Sequence, residues 1–204
     1  MVRVRKKIGI FGGSFNPVHL GHLLVAQDIF EKLKLDKMLF IPAFAPPHKR
    51  HLLSYQHRFK MLKLAIAGNP FFELSDIEAK RGGKSFTVDT LRELKKIYPN
   101  DQLYLIIGAD QFRELSNWKE PKKLCQLAKI VVMPRPNCPI PATKNRLANT
   151  MTLKVIQIEI ASKLIRKRIS QGLSVRYMLP EKVWHYIIKN RLYQNSAFRY
   201  PFTT

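Results

Sequence analysis

Two histidines three residues apart, His19 and His22, come shortly after a glycine pair in the run Gly12-Gly13-Ser14-Phe15-Asn16-Pro17-Val18-His19-Leu20-Gly21-His22. On a helix, side chains at that spacing share a face, so both imidazoles would point at one ligand, with Gly21 leaving room beside them. Gly12 and Gly13 let the backbone approach a ligand with no Cβ in the way. A helix starting after them offers unpaired N–H groups and the positive end of its dipole. These parts make a phosphate site. It is not a Walker A loop, which needs Gly-Lys-Ser/Thr, nor a GxGxxG dinucleotide fingerprint. A single histidine here would read as a capped core residue; a pair following a Gly-Gly strand end reads as an anion site.

Such a site needs a strand to deliver it and a helix to receive it, and the periodicity supplies both. Residues 7–12 form a short apolar run, and residues 20–35 place Leu20, Leu23, Leu24, Ile29, Phe30 and Leu33 at helical spacing. Strands are expected at 38–43, 71–75, 103–107, 130–133 and 153–158, and helices at 54–67 and 86–98, with Gly68-Asn69-Pro70 and Pro99 as stops. The near-continuous apolar run at 103–107 suggests a strand buried on both faces. Strands alternating with helices argue for an α/β fold of Rossmann-like type, a doubly wound parallel sheet with helices on both faces, closed by C-terminal helices. In such a sheet ligands lie beyond the carboxyl ends of the strands. The proline-rich stretch 134–150 is expected to be a surface loop.

Composition sets the class of partner. The chain of 204 residues carries 36 Lys+Arg against 14 Asp+Glu, a formal charge of +22, and is 46 % hydrophobic. That apolar content excludes wholesale disorder, and the length fits one domain. The charge points to anionic partners: phosphates, nucleic acid or anionic membrane. Acidic residues thin out downstream, where only Glu159 and Glu181 follow Glu120. Cys125 and Cys138 form no CxxC and have no histidines at metal spacing, so neither a disulfide framework nor a zinc site is indicated, and a cytoplasmic location is expected. The basic N-terminus and the apolar run behind it mimic a signal peptide, but Asn16, Pro17, His19 and His22 interrupt it. No stretch reaches the ~18 apolar residues of a membrane span.

GGSFNPVHLGH resembles the GGTFDPxHxGH signature of the HxGH nucleotidyltransferases. Downstream, Pro46-Pro47-His48-Lys49, Ser85-Phe86-Thr87-Val88-Asp89-Thr90-Leu91, Gly108-Ala109-Asp110, Trp118-Lys119 and the segment 162–166 recur in the order found in bacterial nicotinate mononucleotide adenylyltransferases. The resemblance spans about residues 7–193, which sets residues 1–193 as the nucleotidyltransferase domain and 194–204 as a tail. The chain departs from the pattern at Asn16, where Asp is usual, at Phe86, where Tyr is common, and at Ala161 and Lys163, which replace hydroxyl residues of ISSTxIR.

The resemblance implies adenylyl transfer from ATP to nicotinate mononucleotide, giving deamido-NAD and pyrophosphate. It implies catalytic roles for His19, His22 and Arg166. ATP would be held by Gly12, Gly13, Ser14, Phe15, His19, His22, Gly108, Asp110, Arg135, Ser162 and Arg166. The mononucleotide would meet Lys49, Ser85, Thr87 and Trp118. Mg²⁺ would arrive on the triphosphate, since the sequence offers no carboxylate cage. Alternatives remain at single positions: Asp110 could be a helix N-cap, Lys49 an exposed loop lysine, Trp118 a core residue. Ser85 and Thr87 fall at the start of the 86–98 helix, whose free N–H groups suit a carboxylate; Asp89 tempers that field.

Rival readings are another acceptor within the superfamily, nicotinamide mononucleotide or phosphopantetheine, and a basic nucleic-acid-binding module. The 85–91 segment and Trp118 argue against phosphopantetheine, and no RNP motif, zinc knuckle or helix-turn-helix signal supports specific nucleic-acid binding. No membrane partner is expected, and a homo-oligomer is left open.

Overall fold

A computed structural model describes residues 4–49, 51–134 and 149–194. Six parallel strands form one sheet in the order β3-β2-β1-β4-β5-β6: β1 (Lys7–Gly13), β2 (Lys37–Pro42), β3 (Phe72–Leu74), β4 (Gln102–Gly108), β5 (Lys129–Met133) and β6 (Thr150–Thr152). The chain leaves β1 toward β2 and β3 on one side, then returns to β4 on the other. The order therefore reverses between β1 and β4, and the crevice at their carboxyl ends is where a doubly wound sheet takes its ligand.

The apolar runs of the strands separate into two cores by simple alternation, because successive side chains face opposite sides of a sheet. Ile8, Ile10, Leu39, Ile41, Leu103, Leu105, Ile107, Ile130 and Val132 face one side. There they meet α3 (Ile77–Arg81), α4 (Thr87–Ile97) and α6 (Pro121–Leu127). Phe11, Met38, Phe40, Tyr104, Ile106, Val131 and Met133 face the other, against α1 (Leu20–Leu33), α2 (Tyr55–Ile66), α7 (Ser162–Ser170) and α8 (Glu181–Lys189). A short α5 (Ala109–Arg113) follows β4 directly. The expected α/β doubly wound architecture is the one found.

Several boundaries differ from those read in the sequence. Helix α1 stops at Leu33 because Lys34 turns into the left-handed region (φ 49°), with its N–H bonded to the carbonyls of Glu31 and Phe30; this sends Leu35 into the core. Helix α2 ends before Gly68, whose φ of 102° suits a residue without Cβ. The strand expected at 153–158 is not formed. Thr150, assigned to the loop, starts β6 instead, and after Leu153 the chain leaves the sheet. Its backbone groups find partners on α1: Ile156 N–H donates to Asp28 Oδ2 at 2.9 Å, and Lys32 Nζ donates to the Lys154 carbonyl at 3.0 Å. Asp28 thus takes a backbone donor that a neighbouring strand would otherwise have used. Most of the 134–150 loop lies outside the described residues. Among the described residues, no helix is long and apolar enough to cross a membrane.

Candidate active site

His19 is the N-cap of α1 and His22 its third residue, so the two rings lie against each other, with centroids 3.7 Å apart and planes tilted by 38°. The His19 backbone N–H donates to His22 Nδ1 at 3.2 Å. Nδ1 is therefore an acceptor, which places the proton of a neutral His22 on Nε2. Gly21 leaves room beside them: a Cβ there would sit 3.1 Å from His19 Nδ1, tight enough that the imidazole would have to shift by a few tenths of an ångström. Phe15 packs beneath, its ring 5.1 Å from that of His22. Phe15 has a φ of 45°, and a Cβ on Gly13 would come 3.2 Å from its ring. The sharp bend that turns β1 into α1 is built around that aromatic.

The turn between β1 and α1 is clasped from several directions through its own backbone. Ser162 Oγ donates to the Pro17 carbonyl at 2.8 Å, and Arg166 Nη1 to the Asn16 carbonyl at 2.7 Å, so α7 starts against the loop that carries the histidines. Lys49 Nζ donates to Ser14 Oγ at 2.9 Å from the loop after β2. Asn16, 4 % exposed, accepts from Tyr193 Oη through Oδ1 at 2.8 Å. Burial pushes the Tyr193 phenol up, which keeps it a donor. An amide oxygen fills this acceptor role as a carboxylate would, so the departure at position 16 retains the loop's anchorage while removing one negative charge.

Arg58 on α2 carries no sequence signal, yet it ties the loops together. It is 2 % exposed and donates to four carbonyls: Leu53 through Nε (2.9 Å), Ser14 and Ala43 through Nη1 (2.9 and 2.8 Å) and Phe44 through Nη2 (3.3 Å). The loops after β1 and β2 are thus bridged by one guanidinium. An arginine in an amphipathic helix reads as a solvated face, and only the fold reveals that its acceptors are backbone oxygens from distant segments.

Beyond the strand ends lies a cavity of about 680 Å³. Gly12, Gly13 and Ser14 line it from β1, Lys49 from the loop after β2, Ser85 and Thr87 from the start of α4, and Asp110 and Trp118 from the segment after β4. Gly12 faces it openly, with nothing within 4 Å of a Cβ position. Ser85 joins the walls: its N–H donates to the Ala45 carbonyl and its Oγ accepts from the Ala45 N–H, both at 3.0 Å. The N–H groups of Thr87 and Val88, in the first turn of α4, have no carbonyl one turn back to bond. Asp89 in that turn is paired with Lys119 (2.9 Å) and Arg92 (3.1 Å), and the hydrogen bond from Lys119 holds its carboxyl below the usual range.

The alternatives at single positions resolve in part. Gly108, not Asp110, is the N-cap of α5; Asp110 follows in the first turn, exposed on the cavity wall. Lys49 is exposed and also reaches Ser14. Trp118 packs partly against the core and also lines the cavity. Eight of the expected site residues thus share the cavity, while His19, His22, Ser162 and Arg166 cluster around the β1–α1 turn. Arg135 lies outside the described residues. Among those described, no group of three or more His, Cys, Asp or Glu could hold a metal ion.

A profile of the cytidylyltransferase-like family matches residues 10–168. A Thermus thermophilus protein bearing the name "Probable nicotinate-nucleotide adenylyltransferase" is 43 % identical, over 92 % of this chain and all of its own length. A protein of the same name from Citrifermentans bemidjiense is 39 % identical, over 93 % of this chain and 99 % of its own. In fold, the chain matches a Plasmodium falciparum nicotinic acid mononucleotide adenylyltransferase complexed with NaAD, with a TM-score of 0.80 at 22 % identity, over 93 % of this chain and 98 % of that one. On the profile and the near full-length relatives together, the chain belongs to the cytidylyltransferase-like family and, within it, to the nicotinate-nucleotide adenylyltransferases.

Proposed function

We propose that this chain transfers the adenylyl group of ATP to nicotinate mononucleotide, releasing pyrophosphate and forming deamido-NAD as a step of NAD synthesis. The observation that carries the reading is the close His19–His22 pair, at a helix N-terminus, on the turn that leads from a cavity of mononucleotide size. The attacking phosphate monoester has a second pKa of ~6 and is already largely ionised at neutral pH, so no general base is needed. The barrier is the approach of two polyanions and the charge that builds on the leaving oxygens. Donors meet it: His22 Nε2–H and His19 at the transferring phosphate and Arg166 toward the β and γ phosphates, with the first turn of α7 at Ser162, whose hydroxyl holds Pro17, beside them and Gly12, Gly13, Ser14 and Phe15 shaping the turn beneath. One arm of Arg166 anchors Asn16, and its planar fork retains further donors for phosphate.

A divalent cation, Mg²⁺ in this proposal, would neutralise triphosphate charge. The described residues offer no dedicated ligand cluster, so it would come with ATP. Gly108 and Asp110 suit the ribose at the end of β4, and Lys49 a substrate phosphate. In the cavity, Trp118 offers a stacking face for the pyridine ring and the N–H groups at Thr87 and Val88 suit its carboxylate. Residues 1–193 act as one catalytic unit, which we assign to the cytoplasm, where ATP is plentiful. Nicotinate mononucleotide is expected to exceed nicotinamide mononucleotide by at least ~10-fold in kcat/KM, about 1.4 kcal/mol, because the amide presents N–H groups to donors. Pyrophosphate release with ATP and each of nicotinate mononucleotide, nicotinamide mononucleotide and phosphopantetheine tests this. A preference for either of the latter two overturns the substrate.

A further inference from the structure

We propose that Lys119 is a specificity-determining residue, whose ammonium supplies the positive charge that lets the start of α4 receive an acidic ring in place of an amide. The inference rests on the mononucleotide reading above and goes beyond it, because that reading uses only backbone N–H groups and Trp118.

Asp89 occupies the first turn of α4, where a bound carboxylate would meet a fixed negative charge nearby. Asp89 itself does not line the cavity; Lys119 does, together with Ser85, Thr87 and Trp118. Lys119 Nζ lies 2.9 Å from Asp89 Oδ2 and 5.0 Å from the centroid of the Phe86 ring, an ion pair and a cation–π contact that keep the ammonium at the head of α4. The second Asp89 oxygen accepts from Arg92 Nη1 at 3.1 Å, and Arg92 also holds Glu120, with Nη1 3.0 Å from Oε1. Two acids and two bases make this quartet neutral. Lys119 is its member on the cavity wall, and its side chain remains 42 % exposed, so it can turn toward a ligand carboxylate. Without Lys119 the remaining three groups sum to one negative charge, and the site would repel an acid while leaving an amide less affected.

The test is the ratio of kcat/KM for nicotinate over nicotinamide mononucleotide, measured at low salt for wild type, Lys119→Met, Lys119→Arg and the double variant Lys119→Met/Asp89→Asn. Lys119→Met is expected to lower the ratio by ~10-fold. Lys119→Arg is expected to keep it, and the double variant, neutral again, to recover most of it. A role in packing alone would not be restored by removing a second charge. The wild-type ratio should also fall as salt is raised from ~50 to ~500 mM, since the ammonium is partly exposed. A wild-type ratio near one overturns the substrate reading and this inference with it. A high wild-type ratio that Lys119→Met leaves intact, in a variant that melts like wild type, overturns the role of Lys119 alone.

Discussion

At the scale of single residues, the tautomer of His22 is set by the protein's own backbone. With Nδ1 accepting the His19 N–H, a neutral His22 carries its proton on Nε2, the tautomer that can donate to a phosphate oxygen. His22→Ala is therefore expected to lower kcat by at least ~10²-fold, the scale of one lost transition-state donor, while circular dichroism and thermal melting show the fold retained. An active, folded variant removes His22 from the mechanism. Arg166→Ala should raise the KM for ATP and lower kcat together, since one change removes a phosphate donor and frees the Asn16 carbonyl it holds. If both constants match wild type, Arg166 does not touch the triphosphate. The two histidines were legible in the sequence because their spacing is local, i and i+3 after a Gly-Gly strand end, whereas Arg166 was legible only through the resemblance of the 162–166 segment to the family's motif. Arg58 and Tyr193 were not, because what they do depends on acceptors 44 and 177 positions away.

Secondary elements carry the site only through the loops that join them, and those loops are held by side chains from elsewhere. Helix α2 contributes nothing to the cavity's chemistry, yet Arg58 fastens the turn after β1 to the loop after β2. Arg58→Met should leave buried carbonyls unsatisfied and cost roughly 3 kcal/mol in urea unfolding. Arg58→Lys should recover only part, because an ammonium cannot reproduce a fork that spans four oxygens. A variant as stable as wild type would mean that water replaces the guanidinium. The other strands were readable because short apolar runs bounded by Gly and Pro alternate with segments of helical spacing, as in a parallel α/β sheet. The misreading at 153–158 shows the limit: its run of Leu153, Val155, Ile156 and Ile158 fits a strand, but Asp28 on α1 captured the backbone donor that pairing would need. The competition between those partners is tertiary and leaves no mark in the local pattern.

Over the whole molecule, the charge of +22 exceeds anything the reaction requires. The site uses a handful of cations at the strand ends, whereas Lys163, Lys167, Lys182, Lys189 and Arg191 on and after the last two helices are exposed and far outnumber the acids beyond Glu120, which are Glu159 and Glu181 alone. Such a surface attracts any polyanion through release of its counterions, a force that depends on phosphate number and salt and not on base identity. Single-stranded RNA is accordingly expected to bind without sequence preference. Its affinity should fall by ~10²- to 10³-fold between 50 and 200 mM salt if about six phosphates are neutralised, at a slope near 0.7 per phosphate on a log–log plot. Fluorescence anisotropy with a homopolymer and a mixed-sequence oligomer of equal length measures both properties. Tight binding of one sequence that persists at ~200 mM salt would show base contacts, and would make nucleic-acid recognition a second function of the chain instead of a consequence of its charge.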